Sequence, residues 1–143
     1  MNFPMQNFRL FTLLLSFTTA LLFISCQPEE EPIPADPRDT YVDQWTCNEN
    51  STVAGQVNPY TVHINKSTTS SSQVLIENFY NLGFGVKATA TISGNSITLA
   101  TQSLATYQMH GSGSKTGSNT LSMTYYVDDG NEIDTCVSTF TRQ

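Results

Sequence analysis

Past Thr40 the apolar side chains recur with a period of two, and no helical period replaces it over a useful length. Tyr60, Val62 and Ile64 alternate with Thr61, His63 and Asn65, while Leu121, Met123, Tyr125 and Val127 alternate with Ser122, Thr124 and Tyr126. One face of each such strand is buried and the other wet, with Leu121, Met123, Tyr125 and Val127 turned inward. The pattern predicts strands over residues 42–52, 60–66, 73–80, 86–92, 96–101, 106–113, 119–127 and 132–141. Ser93-Gly94-Asn95, Gly117-Ser118-Asn119 and Asp128-Asp129-Gly130-Asn131 separate some of them, and these residues tolerate the positive φ of tight hairpins. Thirty of the 104 residues from Thr40 onward are Ser or Thr, which disfavours helix, and no proline follows Pro59 to interrupt a ladder. Eight strands joined mainly by hairpins make an up-and-down meander, and pairing the first with the last removes both exposed edges. The expected fold is all-β, an eight-stranded antiparallel barrel over residues 40–143; a β-sandwich with an inter-sheet disulfide is the rival.

The segment before the domain reads differently. Met1 to Leu10 carry one charge, Arg9, and an apolar run follows from Phe11 to Ile24, of signal-peptide rather than membrane-spanning length. It ends in Leu22-Phe23-Ile24-Ser25-Cys26, which resembles a bacterial lipobox and marks Cys26 as the lipidated residue once residues 1–25 are removed. Residues 26–39 then form an acidic, Pro-rich tether: Gln27 to Asp39 holds four prolines, five acids and one base, a composition expected to stay extended and unpacked. The run Gln27-Pro28-Glu29-Glu30-Glu31 is similar to a short export signal that carries lipoproteins to the outer face of the outer membrane. Surface display is therefore expected, with the periplasmic face as the alternative.

Charge and cysteine usage narrow the classes further. Six Lys plus Arg stand against twelve Asp plus Glu, so no basic surface is available to neutralise phosphates, and nucleic acid is not an expected partner. Of the three cysteines, Cys47 and Cys136 remain once Cys26 is set aside. In an exported chain this even remainder predicts a structural disulfide joining the first and last strands.

An exported meander with an early Trp and a late Arg resembles the calycin group, which includes the lipocalins, and the domain looks like the small lipocalin-like lipoproteins of Gram-negative bacteria. In the calycins a G-x-W element of the first strand packs beneath an Arg of the last. Here Trp45 in Val42-Asp43-Gln44-Trp45 and Arg142 in Phe140-Thr141-Arg142 stand at those positions, with Asp43 where the glycine belongs. The resemblance implies that Trp45 and Arg142 form the barrel-closing pair.

Candidate chemistry is sparse. His63 and His110 fall at outward strand positions without thiolates or carboxylates at ligand spacing, so no metal is expected. No G-x-S-x-G element occurs and no cofactor is implied; the chain does not read as an enzyme. Asp128 to Asp134 offers oxygens around Gly130 but lacks the spacing of a calcium loop and reads as a solvated hairpin. Leu82 and Phe84 flank Gly83 in a turn that does not need large apolar residues, and with Leu75, Phe79 and Tyr60 they mark a ligand or partner rim. The functional expectation is a monomeric, membrane-anchored binding lipoprotein taking a small apolar or amphipathic ligand at the barrel rim. The alternatives are a protein-binding surface lipoprotein, such as a lysozyme-type hydrolase inhibitor although the S-G-x-x-Y motif is absent, or a structural envelope component.

Overall fold

A computed structural model describes the chain from Ala35 to Gln143; the expectations for the signal peptide, Cys26 and the first part of the tether lie outside these described residues. Nine strands follow one another: β1 (Asp43–Ser51), β2 (Gly55–Gln56), β3 (Tyr60–Lys66), β4 (Gln73–Glu77), β5 (Lys87–Ser93), β6 (Ser96–Leu104), β7 (Tyr107–Gly117), β8 (Thr120–Asp128) and β9 (Ile133–Arg142). From β3 to β9 each pairs antiparallel with the next. β1 pairs with β3 on one side and β9 on the other, closing an eight-stranded barrel with the two-residue β2 as an appendage. The closing register runs from Trp45 opposite Arg142 to Ser51 opposite Cys136. This single closed sheet excludes the sandwich.

The alternation read from the sequence is the alternation of the wall. Val62, Ile64, Leu121, Met123, Tyr125 and Val127 are all buried inside. One end of the barrel, the floor, is sealed where the chain arrives. A 3-10 turn at Pro37–Thr40 delivers Tyr41, fully buried, whose hydroxyl donates to the Gly94 carbonyl at 3.2 Å and whose own carbonyl accepts the Trp45 indole N–H at 2.8 Å. The Arg142 guanidinium lies 4.5 Å from the Trp45 ring and donates to the carbonyls of Thr40 and Val42 and to Asp43, at 2.6, 3.2 and 2.6 Å. Asp43, standing where a glycine was expected, thus supplies a carboxylate to the closing arginine.

Two expectations are corrected here. Cys47 and Cys136 are free, buried thiols, because Cys47 faces Phe140 whereas Cys136 faces Ser51. Four residues of strand, about 13 Å, separate them along the ladder, far beyond the ~7 Å a disulfide can span. Nor is the whole tether unpacked. Arg38 donates to the carbonyls of Ser67, Ser70 and Gln73 in the β3–β4 connection, at 3.1, 2.7 and 3.4 Å, while Asp36 holds its other face. Lys66 then bridges Asp36 and Asp39 at 3.0 and 2.5 Å. Arg38 and Lys66 hold the Asp36 carboxyl far below the usual carboxylate range, first through the Arg38 hydrogen bond. These contacts latch the chain to the floor.

Candidate functional site

The opposite end, the rim, collects the connections β1–β3, β4–β5, β6–β7 and β8–β9. Beneath it the interior turns polar. On β1 the inward sequence after Trp45 is Cys47, Glu49, Ser51, and on β9 the inward sequence is Asp134, Cys136, Ser138, Phe140. Two carboxylates are therefore carried into the barrel, Glu49 at 2% exposure and Asp134 at 5%. Among the described residues neither has a cationic partner; hydroxyls serve instead. Glu49 accepts from Tyr60 at 2.7 Å, from Tyr125 and from Ser138 at 3.4 Å. Asp134 accepts from Ser51 at 2.7 Å, Tyr80 at 3.0 Å, Thr52 at 3.1 Å, the Val53 N–H at 3.3 Å and the Cys136 thiol at 3.4 Å. Burial opposes the charge on Asp134, yet these bonds outweigh it and hold the carboxyl below its ordinary value. Burial and the neighbouring carboxylates push the phenols of Tyr60, Tyr80 and Tyr125 upward, and burial first of all raises the Cys47 thiol to about 12. All four groups keep their protons at neutral pH, and the three phenols act as donors.

Tyr80 is positioned at a backbone cost. Asn78, Tyr80 and Asn81 all adopt positive φ, of 60, 54 and 55°, and Gly83 follows at 92°. Asn tolerates this region, but a bulky residue such as Tyr does so at roughly 1–3 kcal/mol. The buried Asn78 side chain fixes the turn, donating to the Thr61 carbonyl at 2.7 Å and accepting the Gly83 N–H at 2.6 Å. The result places the Tyr80 ring over the mouth, edge-on to Tyr107 at 5.7 Å and to Tyr125 at 6.3 Å.

The predicted rim residues divide. Phe79 is fully buried, 4.5 Å from the Tyr125 ring, and so belongs to the core rather than to an exposed patch. Tyr60 turns inward to Glu49 and Leu82 packs half-buried on the core, while Leu75 is half-buried on the outer face of β4. Phe84 alone stands out at 48% exposure, its ring 4.7 Å from His63. Beside this pair Glu77 lies 2.7 Å from Lys87 and 3.7 Å from His63. An apolar ring thus adjoins a charged row. The stretch from Asp128 to Glu132 spends its oxygens on its own turn: Asp128 accepts the Gly130 N–H and Asp129 those of Asn131 and Glu132, each at 2.8 Å. Among the described residues no group of three or more His, Cys, Asp and Glu is placed to hold a metal ion.

Several solved barrels share this architecture. EF1p2_mFAP2b, solved bound to DFHBI, is 12% identical, with a TM-score of 0.57 over 76% of this chain and 100% of its own. A redesigned beta barrel, b11L5F_LGL, gives the same identity and TM-score over 78% of this chain and 99% of its own. At this identity the likeness is one of fold. No protein-family model matches the chain, and no curated protein matches it.

No motif in the sequence marks Glu49, Asp134 or Tyr80. The first two were within reach of the alternation, since counting in twos from Trp45 and back from Phe140 points both inward. Tyr80 was not, because its role depends on a left-handed backbone that no period encodes.

Proposed function

We propose that this chain is a non-enzymatic, lipocalin-like binding lipoprotein, anchored through Cys26 to the outer membrane and presenting its rim at the cell surface as a monomer. Its ligand is a small amphipathic molecule that rests on the rim. The observation carrying this reading is Phe84, held nearly half exposed against His63 beside the Glu77–Lys87 pair, on a connection fixed by Asn78. A large apolar ring on a rigid loop next to opposite charges suits a ligand with an apolar body and a polar head. Fluorogen binding by the full-length chain in detergent tests it, with 1-anilinonaphthalene-8-sulfonate as the probe. Phe84→Ala is expected to weaken binding about tenfold while changing stability by less than ~1 kcal/mol, the scale of surface sites. Unchanged probe affinity in that variant would remove the rim from consideration.

A further inference from the structure

The outer wall carries a groove across β6, β7 and β8, separate from both the interior and the Phe84 surface. Backbone shape makes it. Gly111 and Gly113 let β8 come so close that a Cβ on Gly111 would stand 2.6 Å from the Thr124 carbonyl oxygen and one on Gly113 2.9 Å from the Met123 Cα. On the other flank the register between β6 and β7 shifts from Leu99 to Gln102, leaving Ala100 and Thr101 in a bulge. A drawn-in strand beside a bulged one leaves an open, shallow concavity of about 370 Å³. Because strand geometry rather than mobile side chains sets it, the groove is preformed.

Two directly opposed cross-strand pairs line it, His110 with Tyr126 and Ser112 with Thr124. The first pair is stacked, ring centroids 4.9 Å apart at 21°, and Tyr126 is 37% exposed. Two residues along the strands, about 7 Å away, the second pair supplies two hydroxyls, and Thr101 lies across the groove. No Asp, Glu, Lys or Arg lines the groove, although the chain carries a net charge of −6. A charged ligand therefore finds no carboxylate, ammonium or guanidinium group in it. What the surface offers is an exposed aromatic stack beside hydroxyls that both donate and accept. A pyranose ring presents the complement, C–H bonds on its face and hydroxyls around its edge.

We propose that this groove binds a neutral saccharide, its ring laid on the Tyr126–His110 pair and its hydroxyls met by Thr124, Ser112 and Thr101. The test is an array of neutral, sialylated and sulfated glycans, probed with the full-length chain in a detergent lacking a sugar headgroup. Retention of neutral glycans is expected, with Tyr126→Ala and His110→Ala each lowering affinity at least tenfold and Phe84→Ala leaving it unchanged. Competition by the free disaccharide of the best-retained glycan assigns recognition to a free sugar; undiminished array binding assigns it to a glycan chain. The proposal is overturned if no neutral glycan is retained or if acidic glycans are preferred. It fails equally if both groove variants, folded by circular dichroism, bind as wild type, or if Phe84→Ala abolishes binding.

Discussion

Glu49 shows how a carboxylate survives inside a barrel where, among the described residues, hydroxyls rather than a cation meet it. One of its oxygens, Oε2, is met by two phenols and a serine, so the cost of leaving water is offset by hydroxyl donors whose own desolvation needs an acceptor. The dependence is mutual, and a mutant cycle exposes it. Glu49→Leu alone strands Tyr60 and Tyr125 and is expected to cost about 2–6 kcal/mol, roughly 1–3 for each hydroxyl left unmet. Adding Tyr60→Phe and Tyr125→Phe removes the orphaned groups and should recover at least half of that loss. Urea denaturation of wild type, Glu49→Leu, Tyr60→Phe/Tyr125→Phe and the triple variant decides the matter: simple additivity of the penalties would mean that the network is not a unit. Asp134 adds a pH dependence of definite sign. Its folded-state value is depressed, so its contribution is fully present above the unfolded carboxylate range near pH ~4 and is lost as pH falls through the folded value. The stability advantage of wild type over Asp134→Asn should therefore shrink between pH 6 and strongly acidic solution.

Among the elements, the seam between β5 and β6 is the incomplete one. Backbone pairing covers only Thr91 to Ser93 against Ser96 to Thr98, after which the β6 bulge carries the strands apart. Gln102 spans the gap with its side chain: its carboxamide oxygen accepts the Thr89 N–H and its NH2 donates to the Thr89 carbonyl, both at 2.8 Å. One side-chain amide here stands in for a residue of strand. Gln102→Ala should raise hydrogen exchange at the Thr89 amide at least tenfold while amides across β7 and β8 stay protected; uniform protection would show that the staple is dispensable. This detail also marks the limit of sequence reading. The strands were legible because Ser, Thr and apolar residues alternate along them, and β3 ends where the pattern stops. The strand expected over residues 73–80 stops instead at Glu77, because Asn78 and Tyr80 enter the left-handed region and apolar side chains alone do not report φ. Asp134 reads as part of a solvated turn because acids near a glycine signal a loop, although strand parity places it inward.

For the molecule as a whole, closure is non-covalent. Seven register pairs join β1 to β9, and Arg142 caps the joint, while the two cysteines that parity had paired sit one above the other too far apart to meet. Parity counts thiols; register decides who meets. Reduction should accordingly leave the melting temperature unchanged, and alkylation of Cys47 and Cys136 should follow unfolding, since both thiols are buried and raised well above neutrality. Recovery of a Cys47–Cys136 cross-linked peptide from native protein would contradict the register itself. The latch at Arg38 has a consequence of another kind. Because Asp36 to Asp39 are bound at the floor, beside the end of β9, the start and finish of the strand ladder lie together at one pole. The four connections of the rim then lie together at the pole that holds neither end of the ladder. They can lengthen, shorten or exchange sequence without disturbing the latch at the floor, which leaves a fixed base beneath an interchangeable surface.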